Sequence, residues 1–379
     1  MPLDLPDFPW DSLAALTETA RAHEGGIVDL SVGSPVDPTP GVIRDALRDA
    51  TDAHSYPQVA GTPALRRAIG EWYGRRRGVP GLSEAEVLPT IGSKELIAGM
   101  ALWLGLGPGD TVVYPRNAYP TYELGAALVG ATALASDDPA EWPESTRLVW
   151  LNSPGNPDGS ILSFDALKAA VDRARELGAV VAGDECYAEL GWTPEYDETA
   201  TPCILDPRVV GDSRRGVVSV YSLSKQSNLA GYRAGFVAGC ADVLGELLAV
   251  RKHAGLMPPA PVQQAMVTAL GDEAHVREQK ERYRARRTRL AAALEGAGFT
   301  IDRSEAGLYL WASRQEDAWA TLEWLAERGI LAAPGTFYGS DGAQHVRIAL
   351  TSTDERIEAA ATRLEAAGST RSATESLAY

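Results

Sequence analysis

The chain has 379 residues, of which 45% are hydrophobic and 23% charged, with a formal net charge of −16. That usage suits a globular protein long enough for two domains, and no stretch reaches the roughly 18 consecutive apolar residues that a membrane helix needs. The acidity argues against a nucleic-acid partner, which requires a concentrated basic surface; it favours a small-molecule function in which a local cluster of Arg and Lys draws any anionic substrate.

In chain order, MPLDLPDFPWDSL opens acidic and proline-punctuated, without the basic start, apolar run and cleavage site of a secretory signal, so a cytoplasmic address is expected. From about residue 85, β-branched apolar runs alternate with Ala/Leu-rich helical stretches, the pattern of a parallel sheet with helices on both faces. The predicted strands are VVYP (112–115), LVWLN (148–152), AVVAGDE (179–185), VVSVYSL (217–223) and FVAG (236–239). ELIAGMALWLGL and FDALKAAVDRARELG read as helices between them, the second ended by Gly178. MPPAPVQ near 257 breaks the pattern, because proline lacks an N–H and restricts the residue before it; the large domain is expected to span 41–262. A long helix at 272–295, a second around 315–329 and a last one to about 367 frame GFTIDRSEAGLYLWA, GILAAPGTFYG and HVRIALT. These make a smaller α+β domain, 263–367, completed by an N-terminal arm, 1–40, with 368–379 read as a disordered tail. The fold class is α/β, a large domain with a mostly parallel central sheet plus the smaller α+β domain. Cys186, Cys203 and Cys240 are an odd number at wide spacing, which fits neither a disulfide framework nor a zinc site, so no metal is expected.

Four stretches carry chemistry. SLSKQSNLAGYRAGF (222–236) sets Lys225 directly after a buried strand and Arg233 eight residues later. Lys225 is either a solvated strand-end charge or an amine whose pKa is lowered by burial and neighbouring cations, able to attack an aldehyde. GDECY (183–187) puts Asp184 at the carboxyl end of a strand, where open α/β sheets bind ligands. It reads as a helix cap or as a buried carboxylate that needs a cationic partner such as a protonated pyridine nitrogen, and Tyr187 could offer its hydroxyl to the same ring. LNSPGNPDGS (151–160) is turn chemistry, from which Asn156 could hydrogen-bond a ring oxygen. TIGSKELIAGM places Gly92, Ser93 and Lys94 at a helix start, a simple N-cap or, through free N–H groups and the helix dipole, an anion site.

The order and spacing of these stretches resembles the class I aminotransferases of fold type I, which use pyridoxal 5′-phosphate, over nearly the whole chain. The resemblance implies that Lys225 is the Schiff-base lysine, that Ser222 and Arg233 bind the cofactor phosphate, and that Asp184 and Tyr187 partner the pyridine nitrogen and the ring hydroxyl. It likewise implies Asn156 beside ring and substrate, Gly92, Ser93 and Lys94 as the phosphate turn, and Tyr119 of AYPTYE stacked on the ring. Arg347 of HVRIALT matches the family's ligand for the substrate α-carboxylate, and Gly33 of LSVGSPVDP the glycine that closes over it. Tyr56 of YPQVAGTPALR matches a tyrosine that reaches the phosphate of the neighbouring subunit, which implies a homodimer with shared sites; packing beside its own loop is the alternative.

Within the family, LSVGSPVDPTP, SYPQVAGTPALRRAI, RKHAGLMPPAPVQQAM and SEAGLYLWA look like the bacterial branch of N-succinyldiaminopimelate aminotransferases of lysine biosynthesis. That branch implies ping-pong transfer between N-succinyl-LL-diaminopimelate and the 2-oxoglutarate/glutamate pair. A distal carboxylate then needs a second cation: Lys94 is the leading candidate, with Arg116 and the RKH run at 251–253 as alternatives. The rival expectations are an aspartate or other acidic amino-acid aminotransferase and a β-lyase of the same fold. A cofactor-sensing regulator is disfavoured because it would need a DNA-binding module, for which an α/β pattern that starts so early in so acidic a chain leaves no room. Asn228 has no assigned role.

Overall fold

The computed structural model of the protein describes residues 9–376, with side chains as far as residue 368. Its central sheet has seven strands in the spatial order Val87–Ile91, Ala234–Gly239, Val217–Ser222, Val180–Asp184, Thr146–Asn152, Thr111–Tyr114, Thr132–Ala135. Ala234–Gly239 runs antiparallel to both neighbours and the remaining pairs are parallel. Every residue of Val217–Ser222 and Ala234–Gly239 is buried. Helices cover both faces of the sheet, so these strands show continuous apolar runs instead of alternation. Thr132–Ala135 escapes the sequence pattern because it is a largely exposed edge strand, alanine-rich and short of β-branched residues.

A second, antiparallel sheet has the order Ala333–Pro334, Val346–Ala349, Tyr309–Ser313, Thr300–Asp302. Residues 28–29 pair in parallel with 330–331, so the N-terminal segment joins this smaller unit. The helices Ala274–Gly296, Ala318–Ala326 and Asp354–Ser376 pack around it, and their buried faces share one apolar cluster with its strands.

Two expectations change. The proline run at 257–261 starts the helix Ala260–Gly271 and does not end a domain, since a proline in the first turn lacks only an N–H that would have no partner there. That helix buries Val262, Ala265, Met266 and Ala269 in the core of the large unit, so the two cores divide after residue 271 and not at 262. The last helix continues past 367 through Ser376, where a disordered tail was expected. No proline interrupts GSTRSATES, and extending an existing helix avoids the cost of nucleating one. Residues 1–8 of the expected arm and 377–379 of the expected tail lie outside the described residues. Among the described residues no helix is long and apolar enough to cross a membrane, and the three cysteines are buried and free.

Candidate active site

Parallel strands bring their carboxyl ends to one edge of a sheet. Here Asn152, Asp184 and Ser222 are the last residues of three neighbouring strands. A cavity of about 410 Å³ lies over them, walled on its other side by Gly33, Tyr309 and Arg347 of the smaller unit. Four cationic side chains, Lys94, Lys225, Arg233 and Arg347, line it against the single carboxylate of Asp184. A chain of net charge −16 thus concentrates positive charge in this one cleft.

Asp184 is buried, accepting from the Tyr122 hydroxyl at 2.8 Å and from the Cys186 N–H at 3.3 Å. Burial pushes its carboxyl above the ordinary range, and the bonds from Cys186 and Tyr122 oppose this only in part. Lys225 follows the strand Val217–Ser222 in a tight turn and donates from Nζ to the Gly33 carbonyl. Burial lowers its amine below the ordinary lysine value, and the Arg347 and Arg233 charges act in the same direction. Gly33 admits no larger residue, because a Cβ there would run into the Tyr309 hydroxyl.

Arg347 is buried on the strand Val346–Ala349. It donates to Asn156 Oδ1 at 2.8 Å and to the Ser31 carbonyl at 2.7 Å, and its guanidinium lies 3.9 Å from the centre of the Tyr309 ring. Its Nε has no hydrogen-bond partner, and no carboxylate pairs with it among the described residues. A buried guanidinium of this kind suits an incoming carboxylate.

At the other end of the cavity, Ser93, Ser222, Ser224 and Arg233 gather beside the start of the helix Gly92–Trp103. Gly92 has φ 71°, and a Cβ on it would collide with the Arg233 guanidinium. The Ser222 and Ser224 hydroxyls are 2.7 Å apart. Hydroxyls, a guanidinium and helix-start amides form an anion-binding group. Lys94 is exposed at the mouth, its Nζ 5.7 Å from the centre of the Tyr119 ring.

The structure therefore brings together Gly33, Ser93, Lys94, Tyr119, Asn156, Asp184, Tyr187, Ser222, Lys225, Arg233 and Arg347 around one cavity, with Gly92 against Arg233. Tyr56 stands apart from this cavity, 97% exposed. The alternative distal cations do not reach the site: Arg116 faces Glu141 at 3.5 Å, and Arg251 is buried against Glu95 at 2.8 Å. Sequence reasoning gave no role to Tyr122, Tyr309, Ser224 and Trp10, although Trp10, Ser224 and Tyr309 line the cavity and Tyr122 holds Asp184. Ser224 stands in SLSKQSNLAGYRAGF, Tyr309 in SEAGLYLWA and Tyr122 in AYPTYE, whereas the segment MPLDLPDFPWDSL around Trp10 carries no chemical motif.

Residues 26–364 match the family described as aminotransferase class I and II. The 4-dedimethylamino-4-oxo-anhydrotetracycline transaminase OxyQ of Streptomyces rimosus is 53% identical, over 95% of this chain and 99% of its own. A probable aminotransferase of Mycobacterium tuberculosis is 54% identical, over 95% of this chain and 85% of its own. Among solved structures, a probable N-succinyldiaminopimelate aminotransferase of Thermus thermophilus superposes with a TM-score of 0.83 at 30% identity, covering 95% of this chain and all of that one. The chain therefore belongs to the class I and II aminotransferases, pyridoxal-phosphate enzymes of fold type I.

Proposed function

We propose that this aminotransferase moves the amino group of a long tricarboxylic amino acid, N-succinyl-LL-diaminopimelate, to 2-oxoglutarate. The observation that carries the reading is Arg347, buried and without a carboxylate partner in the same cavity as Lys225 and Asp184.

The residues present fit pyridoxal phosphate. Asp184, buried without a cation, suits a protonated ring nitrogen; Ser93, Ser222, Ser224 and Arg233 suit a phosphate dianion; and the Lys225 amine, held below its ordinary pKa, suits an aldehyde carbon. When bound, the cofactor supplies an electron sink that makes the substrate Cα–H acidic. Arg347 takes the α-carboxylate bidentately and so orients the Cα–H bond. Lys225 Nζ, neutral more readily because it is buried, takes the Cα proton and would hand it to the former aldehyde carbon within the same half-reaction, and the opposite half-reaction runs the same transfer backwards. Asp184 would stay ionised by pairing with a protonated ring nitrogen, and Tyr187 and Asn156 would hold the ring oxygen. Lys94 at the mouth meets the distal carboxylate of the donor, and glutamate uses the same pair of cations. Tyr56, fully outside its own cavity, serves the site of a second subunit in a homodimer.

A second reading has support from the aromatic lining. Trp10, Tyr119, Tyr187 and Tyr309 all face the cavity, and OxyQ, whose name gives it a tetracyclic ketone as substrate, is 53% identical.

The test is a set of separate half-reactions of the cofactor-loaded protein with N-succinyl-LL-diaminopimelate, glutamate, aspartate, a neutral amino acid and a β-substituted alanine. The aminated protein is then offered 2-oxoglutarate and 4-dedimethylamino-4-oxo-anhydrotetracycline. Fast turnover of the succinylated donor and of glutamate, with keto acids as products, is expected. Dominance of aspartate, of a neutral amino acid or of the tetracyclic ketone would replace the substrate assignment, and pyruvate with ammonia from a β-substituted donor would replace the reaction.

A further inference from the structure

Tyr309 has no part in the reaction as derived so far, yet its hydroxyl stands at the centre of the site. It is buried on the strand Tyr309–Ser313, and its ring meets that of Tyr187 edge to face, centres 5.8 Å apart. The two hydroxyls are 3.2 Å apart. Gly33 closes one side so tightly that a Cβ there would strike the Tyr309 oxygen, and the Arg347 guanidinium covers the ring face at 3.9 Å. Phenylalanine would fill the same space against Tyr187 and Arg347, so packing alone does not account for the hydroxyl, and a buried phenol O–H takes a partner.

We propose that Tyr309 is a positioning residue for transamination, donating its O–H to the Tyr187 oxygen and so committing the Tyr187 proton to the ring oxygen of the cofactor. This rests on the reading above that Tyr187 faces that oxygen. A phenol carries one proton and two acceptor lone pairs, so Tyr187 can donate to only one group at a time. If Tyr187 spent its proton on Tyr309, the ring oxygen would lose its donor. The surrounding charges favour the useful direction. The Arg347 guanidinium, 3.9 Å from the centre of the Tyr309 ring, and the Lys225 amine draw electron density toward the Tyr309 oxygen, which turns its O–H away from them and toward Tyr187, and they offset at Tyr309 the burial that pushes both phenols up. The more acidic phenol is the better donor, and each bond in such a chain polarises and strengthens the next.

The chain of two bonds stabilises negative charge on the ring oxygen, and with it the deprotonated form of the bound cofactor. The readout is the pH midpoint of the visible absorbance of the holoenzyme, titrated for wild type, Y309F, Y187F and the double variant, with K225A as the control for a lysine-dependent band. Y309F should raise the midpoint by roughly 0.5–1 pH unit, the size of one neutral hydrogen bond. Y187F should raise it further, and the double variant should match Y187F alone, because Tyr309 acts through Tyr187. An unmoved midpoint in Y309F, or a double variant shifted by the sum of the two single shifts, overturns the inference while leaving the lysine-dependent site in place. A wild-type band that K225A does not alter overturns the site reading, and the Tyr309 inference with it.

Discussion

Asp184 illustrates a site residue whose cost is visible without its ligand. The carboxylate is buried with two hydrogen-bond donors and no cation, and its pKa is raised above the ordinary 3.8. A group whose folded pKa lies above its unfolded one takes stability away as pH rises from the unfolded value to the folded one, and the loss is constant above that. Cofactor-free D184N should therefore unfold at a higher temperature than cofactor-free wild type at pH 7, and the gap should narrow as pH falls toward 3.8; a scan from pH 7 down to pH 3.8 checks this. The same substitution should depress transamination, since asparagine cannot hold a ring nitrogen protonated. Lys94 belongs to the same scale. Its replacement by alanine should raise KM for dicarboxylic donors about 10- to 100-fold, the worth of one charge-assisted contact, with little change for neutral ones. Equal changes for both classes would remove Lys94 as the residue that selects the distal carboxylate.

At the scale of elements, the turn that carries Lys225 is held from outside the strand that leads into it. The Ser227 hydroxyl lies 2.8 Å from His275 Nε2, and His275 Nδ1 lies 2.8 Å from Asp272. Ser227 is fully buried, so this relay is a tether and does not expose a nucleophile. Asn228, at φ 52° in the left-handed region that asparagine tolerates, donates to Gln279 at 2.9 Å and to the Pro38 carbonyl at 3.3 Å. Gln279 in turn bonds Asp37, which pairs with Arg286 at 2.6 Å. Asn228 thereby gains the role its sequence context did not give it: with Gln279 it ties the lysine turn to the segment that carries Gly33. H275A should cost about 1–3 kcal/mol in urea unfolding, because it strips partners from Ser227 and Asp272. The strands Val217–Ser222 and Ala234–Gly239 were legible in the sequence because they are buried on both faces and read as largely apolar runs. The helix Ala260–Gly271 was not, because a proline that starts a helix looks locally like one that ends a domain. The site motifs were legible where a lysine follows a strand or an aspartate ends one, but Tyr122 and Tyr309 were not, since a buried tyrosine reads as core until its hydroxyl partner is seen.

At the scale of the whole molecule, an acidic protein folds two units around one cationic cavity, with Asp184 and Lys225 from one and Arg347 from the other. A tyrosine 97% exposed beside that arrangement is accounted for if a second chain covers it. K225A and Y56A should each be impaired alone, and their mixture after subunit exchange should recover about a quarter of wild-type activity, because half of randomly formed dimers are mixed and each carries one intact site. No recovery despite exchange would contradict sites shared between subunits. The central claim, that the cofactor is held through Lys225 in this cavity, is tested most directly by reducing the cofactor-loaded protein with borohydride and mapping the labelled peptide by mass spectrometry. A pyridoxyl group on Lys225 Nζ is the predicted result. Label on Lys94, the other lysine lining the cavity, or on a lysine elsewhere, would contradict it.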